Sequence, residues 1–220
     1  MQVCLVTETG FRSGISIGHT QFKIYRNDRT NSRGGGVAVI VRKGLTHQLL
    51  PIVPTELIEN IGIKICMNSD SINIYSCYFP GGLMGNDGIS RSNQYILGGD
   101  FNCRHQQWGC LRTNGWGNIL AEKLITYNID LIYPADFTYI LASPNRQGST
   151  LDLFLTNVSG LLSHAQVIND LSSDHLPVKI VLGRNYNSSS TFSYDYNNAN
   201  WRLYSRFLNR RLTLPEEGTI

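Results

Sequence analysis

Two polar strings, each set against an apolar run, restrict what this chain can fold into: Gly98-Gly99-Asp100-Phe101-Asn102 and Ser172-Ser173-Asp174-His175-Leu176-Pro177. The first follows Tyr95-Ile96-Leu97, a short apolar run with a turn signal behind it, which reads as the end of a buried strand. Turning through Gly-Gly, that strand delivers Asp100 and Asn102 to the rim of a sheet. The second string sets Asp174 and His175 just before another apolar run, Val178 to Leu182. Carboxylates, an amide and an imidazole meeting at a sheet rim are the groups needed to hydrolyse a phosphate ester.

The rest of the chain supplies the sheets. Val37-Ala38-Val39-Ile40-Val41 is a β-branched run announced by Gly34-Gly35-Gly36. Ile61, Ile63 and Ile65 alternate with Gly62 and Lys64, and Ile72 and Ile74 alternate with Asn73 and Tyr75 in a run that continues to Tyr78. Tyr95 to Gly98, Leu151 to Leu155 and Lys179 to Leu182 complete the clearer strands. Ile119, Leu120, Leu124 and Ile125 have helical spacing and predict a helix over 117–128. Many strands with few helices imply two packed sheets, an α/β or α+β sandwich.

A chain of 220 residues with 41% hydrophobic and 16% charged residues suits one domain, here residues 1–183, with a real core. Residues 184–200 are rich in Ser, Asn and Tyr and read as a polar linker; residues 201–220 read as a helical linker segment. Arg202, Arg206 and Arg210 lie four apart there, on what is first of all a solvated face. The net charge of +3 permits a polyanionic partner without requiring one. No apolar run approaches the roughly 20 residues that span a bilayer, and the start lacks a basic leader, so neither a membrane nor a secretory signal is expected. The five cysteines form no close metal-finger spacing and are expected as free thiols of an intracellular chain.

Each candidate for chemistry has a structural alternative. Asp100 can align and deprotonate a water, and Asn102 can hold that water or donate to a phosphate oxygen; both residue types also form turns. Asp152 stands early in an apolar strand, where an unpaired charge is costly, and His175 as its partner would relieve that cost and stay protonated to stabilise a pentavalent phosphorus. Glu8 ends the run Val3-Cys4-Leu5-Val6-Thr7 and suits an oxygen-ligated Mg²⁺ or Mn²⁺, or else is a surface carboxylate. The Tyr78 hydroxyl reaches a phosphate or is satisfied in the core. His105 and Trp108 stack on a base or pack beside their loop.

Taken in order, these strings resemble the endonuclease/exonuclease/phosphatase superfamily, and within it the apurinic-endonuclease-like domain of jockey-type non-LTR retrotransposons. The resemblance runs over about residues 2 to 183. It is carried by Glu8-Thr9, Tyr25-Arg26-Asn27-Asp28-Arg29 with Gly34 to Ala38, Tyr78-Phe79-Pro80, Gly98 to Asn102 with His105 and Trp108-Gly109, Ser149 to Leu153, and Ser172 to Pro177. It implies a four-layer sandwich, two packed mixed β-sheets flanked by helices. It implies Mg²⁺-dependent nicking of double-stranded DNA in an intracellular, nuclear setting, leaving a 3′-hydroxyl that primes reverse transcription. Glu8 and Asp174 then fall on the metal site, and Asp100, Asn102, Asp152, His175 and Tyr78 on the catalytic group. Thr138, Ser173, His105 and Trp108 fall among phosphate or DNA contacts. An adjoining reverse transcriptase and the element's RNA are the implied partners, and Asn198 to Trp201 resembles the linker toward such a domain.

The chain also departs from that pattern. It opens on what reads as the second strand, so the first strand and its Asn are expected to be missing, and residues 81–94 are too few for the usual helix. Two other readings therefore stand beside the endonuclease: an inactive remnant that at most binds nucleic acid, and a superfamily phosphatase acting on small phosphoesters.

Overall fold

The computed structural model describes residues 2–184, apart from residues 13, 15, 31, 56–57, 68–69, 81–92, 141–147, 159–160 and 170–172. Expectations for the stretch at 81–94, for the linker beyond Arg184, for the segment 201–220 and for Ser172 fall wholly or largely outside these residues.

The alternating runs form strands because alternate residues can be buried on opposite faces. β1 (Val3–Thr7), β2 (Phe22–Asn27) and β3 (Val37–Arg42) make a three-stranded antiparallel sheet in the order β1-β3-β2. β4 (His47–Leu49), β5 (Glu59–Met67), β6 (Asp70–Tyr78), β7 (Tyr95–Asp100), β8 (Asp130–Ile132) and β9 (Asp152–Thr156) make a six-stranded sheet in the order β4-β5-β6-β7-β9-β8. Its β6–β7 pair is parallel and its other pairs are antiparallel. Thus only the larger sheet is mixed. β10 (Leu161–Val167) and β11 (Val178–Arg184) form an antiparallel hairpin. Among the described residues β1 pairs with β3 alone, at the edge of its sheet.

The six-stranded sheet is covered on both faces. On one, Ile61, Ile63, Ile65, Ile72 and Ile74 meet Val37, Val39 and Val41 of the smaller sheet, with Leu161 and Leu182 of the hairpin packed alongside. On the other, Tyr75, Cys77, Leu153 and Leu155 meet Leu120 and Ala121 of α1 (Gly115–Thr126) and the buried Trp108. α1 starts where the Asn114 side chain accepts from the Gly117 amide at 2.7 Å. Two sheets and this helix account for three layers of the expected sandwich among the described residues. β2, β4, β8 and β10 were not separable from loops by pattern: β4 and β8 have three residues each, and β2 ends on the adjacent polar pair Arg26-Asn27, which breaks its alternation. All five cysteines are free thiols, and no helix among the described residues is long and apolar enough to cross a membrane.

Candidate active site

Gly98 and Gly99 do not form the expected turn. They lie inside β7, and their bare Cα atoms let the two sheets close on each other. A Cβ at Gly98 would lie 2.5 Å from the Phe154 ring and 2.7 Å from Leu5 of β1. At Gly99, where φ is +147°, it would lie 2.0 Å from the Cys77 carbonyl oxygen and 2.9 Å from Thr7. The glycine pair therefore brings the end of β7 beneath the end of β1, and so Asp100 beside Glu8.

Glu8 leaves β1 with φ at +52°, a left-handed turn that few non-glycine residues adopt. Its carboxylate accepts from the Tyr78 hydroxyl at 2.5 Å. Burial, followed by this bond and the Glu8 charge, holds the Tyr78 phenol well above its ordinary range, so it is a proton donor and not a base. Asp100 is 2% exposed. Its two oxygens accept from the Asn102 amide N–H and from Asn102 Nδ2, both at 2.9 Å, while Nδ2 also donates to the Phe79 carbonyl at 3.1 Å. Asn102 itself takes φ at +49°, which folds its side chain back onto Asp100.

Asp152 opens β9 directly opposite Asp100 in the antiparallel register. Like charges so placed repel. His175 lies between them: Nδ1 is 2.9 Å from Asp152 Oδ2 and Nε2 is 3.9 Å from Asp100 Oδ2. Burial alone would lower the His175 pKa, but the bond to Asp152 and the charges of Asp152, Asp100 and Asp174 raise it to about 9. At neutral pH it is an imidazolium donating from Nδ1 to Asp152, with Nε2–H turned toward Asp100. Asp100 is pushed up to about 7, first by burial and then by Asp152 and Glu8, against lowering by the Asn102 amide and His175.

The chain around His175 is clamped. The Leu176 amide donates to the Thr138 carbonyl at 2.7 Å, the Ile140 amide to the Asp174 carbonyl at 2.8 Å, and the Tyr139 ring lies 4.9 Å from the imidazole. Thr138 is fully buried, and its hydroxyl accepts from the Leu151 and Asp152 amides at 2.9 and 3.0 Å. It braces the start of β9 and cannot reach a phosphate, contrary to the expectation for it. Trp108 is likewise fully buried, with Nε1 donating to the Cys103 carbonyl at 2.9 Å, which rules out stacking on a base. His105 caps the short turn Gln106–Trp108, its Nδ1 accepting from the Gln107 amide at 3.1 Å. Ser173 is exposed, and its hydroxyl accepts from the His175 amide at 3.2 Å.

Glu8, Asp100 and His175 each offer a ligand atom within 4.8 Å of the others. Asp174, expected on the metal with Glu8, is outside this group among the described residues: it is exposed, next in the chain to His175, and acts on it through charge. The donor set fits a hard divalent cation. Two carboxylates supply oxygen ligands, and a cation would offset both the burial that chiefly raises Asp100 and the lesser repulsion from Asp152 and Glu8. His175, as an imidazolium, is not a ligand in that arrangement.

Two neighbours carried no signal of a role. Arg29 is hydrogen-bonded through Nε to Glu59 of β5, and its guanidinium lies 5.5 Å over the Tyr78 ring. Tyr139, the ring against His175, stood in the sequence as an ordinary aromatic.

Residues 72–179 match the family model described as endonuclease-reverse transcriptase. The chain is 29% identical over 191 residues to the RNA-directed DNA polymerase from mobile element jockey of Drosophila melanogaster, covering 83% of this chain and 21% of that protein. It is 28% identical over 192 residues to the probable RNA-directed DNA polymerase from transposon BS of the same species, covering 82% and 21%. The chain thus spans about a fifth of the length of these relatives. Its fold is similar to the endonuclease domain of TRAS1, a telomere-specific non-LTR retrotransposon, with a TM-score of 0.60 at 20% identity over 83% of this chain and 85% of that one. An endonuclease/exonuclease/phosphatase family protein from Leptotrichia buccalis gives a TM-score of 0.53 at 19% identity, covering 76% and 73%. The fold, the carboxylate–histidine rim and these likenesses agree: the chain is similar in sequence to the endonuclease-bearing proteins of jockey-type retrotransposons and shares the fold of endonuclease/exonuclease/phosphatase proteins.

Proposed function

We propose that this domain is a divalent-metal-dependent endonuclease that nicks one strand of double-stranded DNA. The observation that carries the reading is His175 held between Asp152 and Asp100, with Asp100 brought beside the Glu8–Tyr78 pair where the two sheets meet. Bound at Glu8 and Asp100, Mg²⁺ (or Mn²⁺) supplies Lewis-acid stabilisation of phosphate charge. Asp100 as carboxylate takes the proton of a water aimed at phosphorus. The water oxygen bonds to phosphorus, the bond to the 3′ oxygen breaks, and that oxygen leaves as an alkoxide that takes a proton from solvent to become the 3′-hydroxyl opposite a 5′-phosphate. His175 donates from Nε2 to a non-bridging phosphate oxygen as negative charge builds, and Asp152 keeps the imidazolium charged and oriented. The Tyr78 hydroxyl and the Asn102 amide keep Glu8 and Asp100 in place.

The 3′-hydroxyl is the chemical group that a polymerase extends. The named relatives are RNA-directed DNA polymerases, which supports an adjoining reverse transcriptase with element RNA as template; work in the nucleus is part of the same proposal. Nicking of supercoiled plasmid tests the reading. Open-circle product with Mg²⁺, none in EDTA and none from Asp100→Asn are expected. Equal product from Asp100→Asn overturns it. The absence of product from folded wild-type chain points to the inactive remnant. Release of phosphate from small phosphoesters without nicking points to the phosphatase.

A further inference from the structure

The catalytic rim continues into a second feature. Directly after Glu8 and Thr9 the chain forms one wall of a cleft of about 410 Å³, and the loop that precedes β3 forms the other. Its charged lining among the described residues is Arg12, Arg29 and Arg33, joined by the hydroxyl-bearing Thr30 and Ser32, with no carboxylate among them. The walls are tied to the catalytic rim by backbone: the Thr9 amide donates to the Gly36 carbonyl at 3.2 Å and the Gly10 amide to the Gly35 carbonyl at 2.9 Å.

Two arginines in this cleft are uncommitted. Arg12 and Arg33 are exposed, and neither has a salt-bridge or hydrogen-bond partner among the described residues. Arg29 is held differently. Glu59 engages its Nε, and it lies against Gly35, where a Cβ would come within 2.3 Å of the guanidinium carbon. Gly35 has φ at +71°, so it serves both the turn and the close approach. Arg29 therefore forms a fixed floor that reaches the Tyr78 ring. Arg26, paired with Asp28 at 2.9 Å, lies 5.2 Å from the Phe11 ring and steadies the other wall. An open cleft with no carboxylate and two unpaired guanidinium groups among the described residues suits a phosphate, which arginine meets in bidentate fashion.

We infer that this cleft is a second phosphate subsite, in which Arg12 and Arg33 hold a backbone phosphate of the same DNA that is cut at Asp100. The inference rests on the endonuclease reading. It adds residues that position the duplex and take no part in the chemistry.

The test is fluorescence anisotropy of a labelled DNA duplex with the full 220-residue chain in EDTA, titrated at several salt concentrations. Wild type is compared with the double variants Arg12→Ala/Arg33→Ala and Arg12→Lys/Arg33→Lys, each checked by thermal melting. Each phosphate contact contributes about 0.9 to the slope of log affinity against log salt. The alanine variant is expected to lose roughly 1 unit of slope, and the lysine variant to keep most of it. A wild-type chain that binds and nicks DNA, with an alanine variant of unchanged slope and affinity, overturns the subsite and leaves the endonuclease standing. A folded wild-type chain that neither binds nor nicks DNA overturns both.

Discussion

Replacing Asp100 by Asn should abolish nicking and, in the absence of metal, make the domain more tolerant of alkaline pH. The folded-state pKa of Asp100 is about 7 against an ordinary value of 3.8, so the native state holds a proton that the unfolded chain has already lost. Stability falls with rising pH wherever the native state binds more protons. The wild-type chain therefore loses stability between about pH 4 and pH 7, and the neutral Asn does not. Between pH 5 and pH 7 that is about 2 units at 1.36 kcal/mol each, or roughly 3 kcal/mol before relaxation around the charge reduces it. The Asn amide cannot accept from Asn102 at both of its terminal atoms, as Asp100 does, and losing one such bond costs about 1–3 kcal/mol. That cost is present at every pH. The difference between pH 5 and pH 8 isolates the charge, and His175 keeps its proton in the folded wild type at both values because its pKa is about 9. Melting in EDTA should show the wild-type minus Asn difference moving by roughly 4–10 °C in favour of Asn from pH 5 to pH 8. A difference that stays constant, or moves in favour of wild type, refutes the strained carboxylate at Asp100.

Other outcomes follow from the same geometry. His175→Ala should lower the nicking rate about 10²–10⁴-fold with the fold retained, and wild-type rate in that variant removes His175 from the chemistry. Since the reaction needs Asp100 ionised and His175 protonated, kcat/KM should rise with pH toward about 7 and fall beyond about 9; bound metal draws the acid limb lower by favouring the carboxylate. A rate that keeps climbing through pH 10 contradicts the role of the imidazolium. Mg²⁺ at about 100 times its Kd should stabilise the wild-type domain by about 2.7 kcal/mol and Asp100→Asn by much less, read as a shift in Tm. Gly99→Ala should cost about 3 kcal/mol or more and separate Glu8 from Asp100, because its Cβ would lie 2.0 Å from a backbone oxygen at a positive φ. A soluble, fully active Gly99→Ala chain would show that the two sheets need not approach so closely.

What the sequence showed, and what it hid, divides along one physical line. Alternation wrote the inner strands plainly, because residues such as Ile61, Ile63 and Ile65 must all face the same core. Asp152 and His175 were legible as a pair because a carboxylate in an apolar strand demands a partner, and the 2.9 Å contact supplies it. Residue type alone does not say which way a side chain faces, and the assignments that failed all turn on that. Thr138 and Trp108 have the chemistry to meet a nucleic acid, yet both are fully buried, one bracing β9 and the other filling the core against α1. Gly98-Gly99 read as a turn because glycine's commonest local use is a turn, whereas here the constraint comes from Leu5 and Thr7, more than ninety positions earlier in the chain. Arg29 stood among the residues that carry the resemblance, but with no role of its own, for the same reason: its meaning depends on Glu59 and Tyr78, which other strands bring beside it. Local pattern thus reveals the groups that do chemistry at strand ends. The residues that set their spacing, and the cations that surround them, become readable only once the two sheets have met.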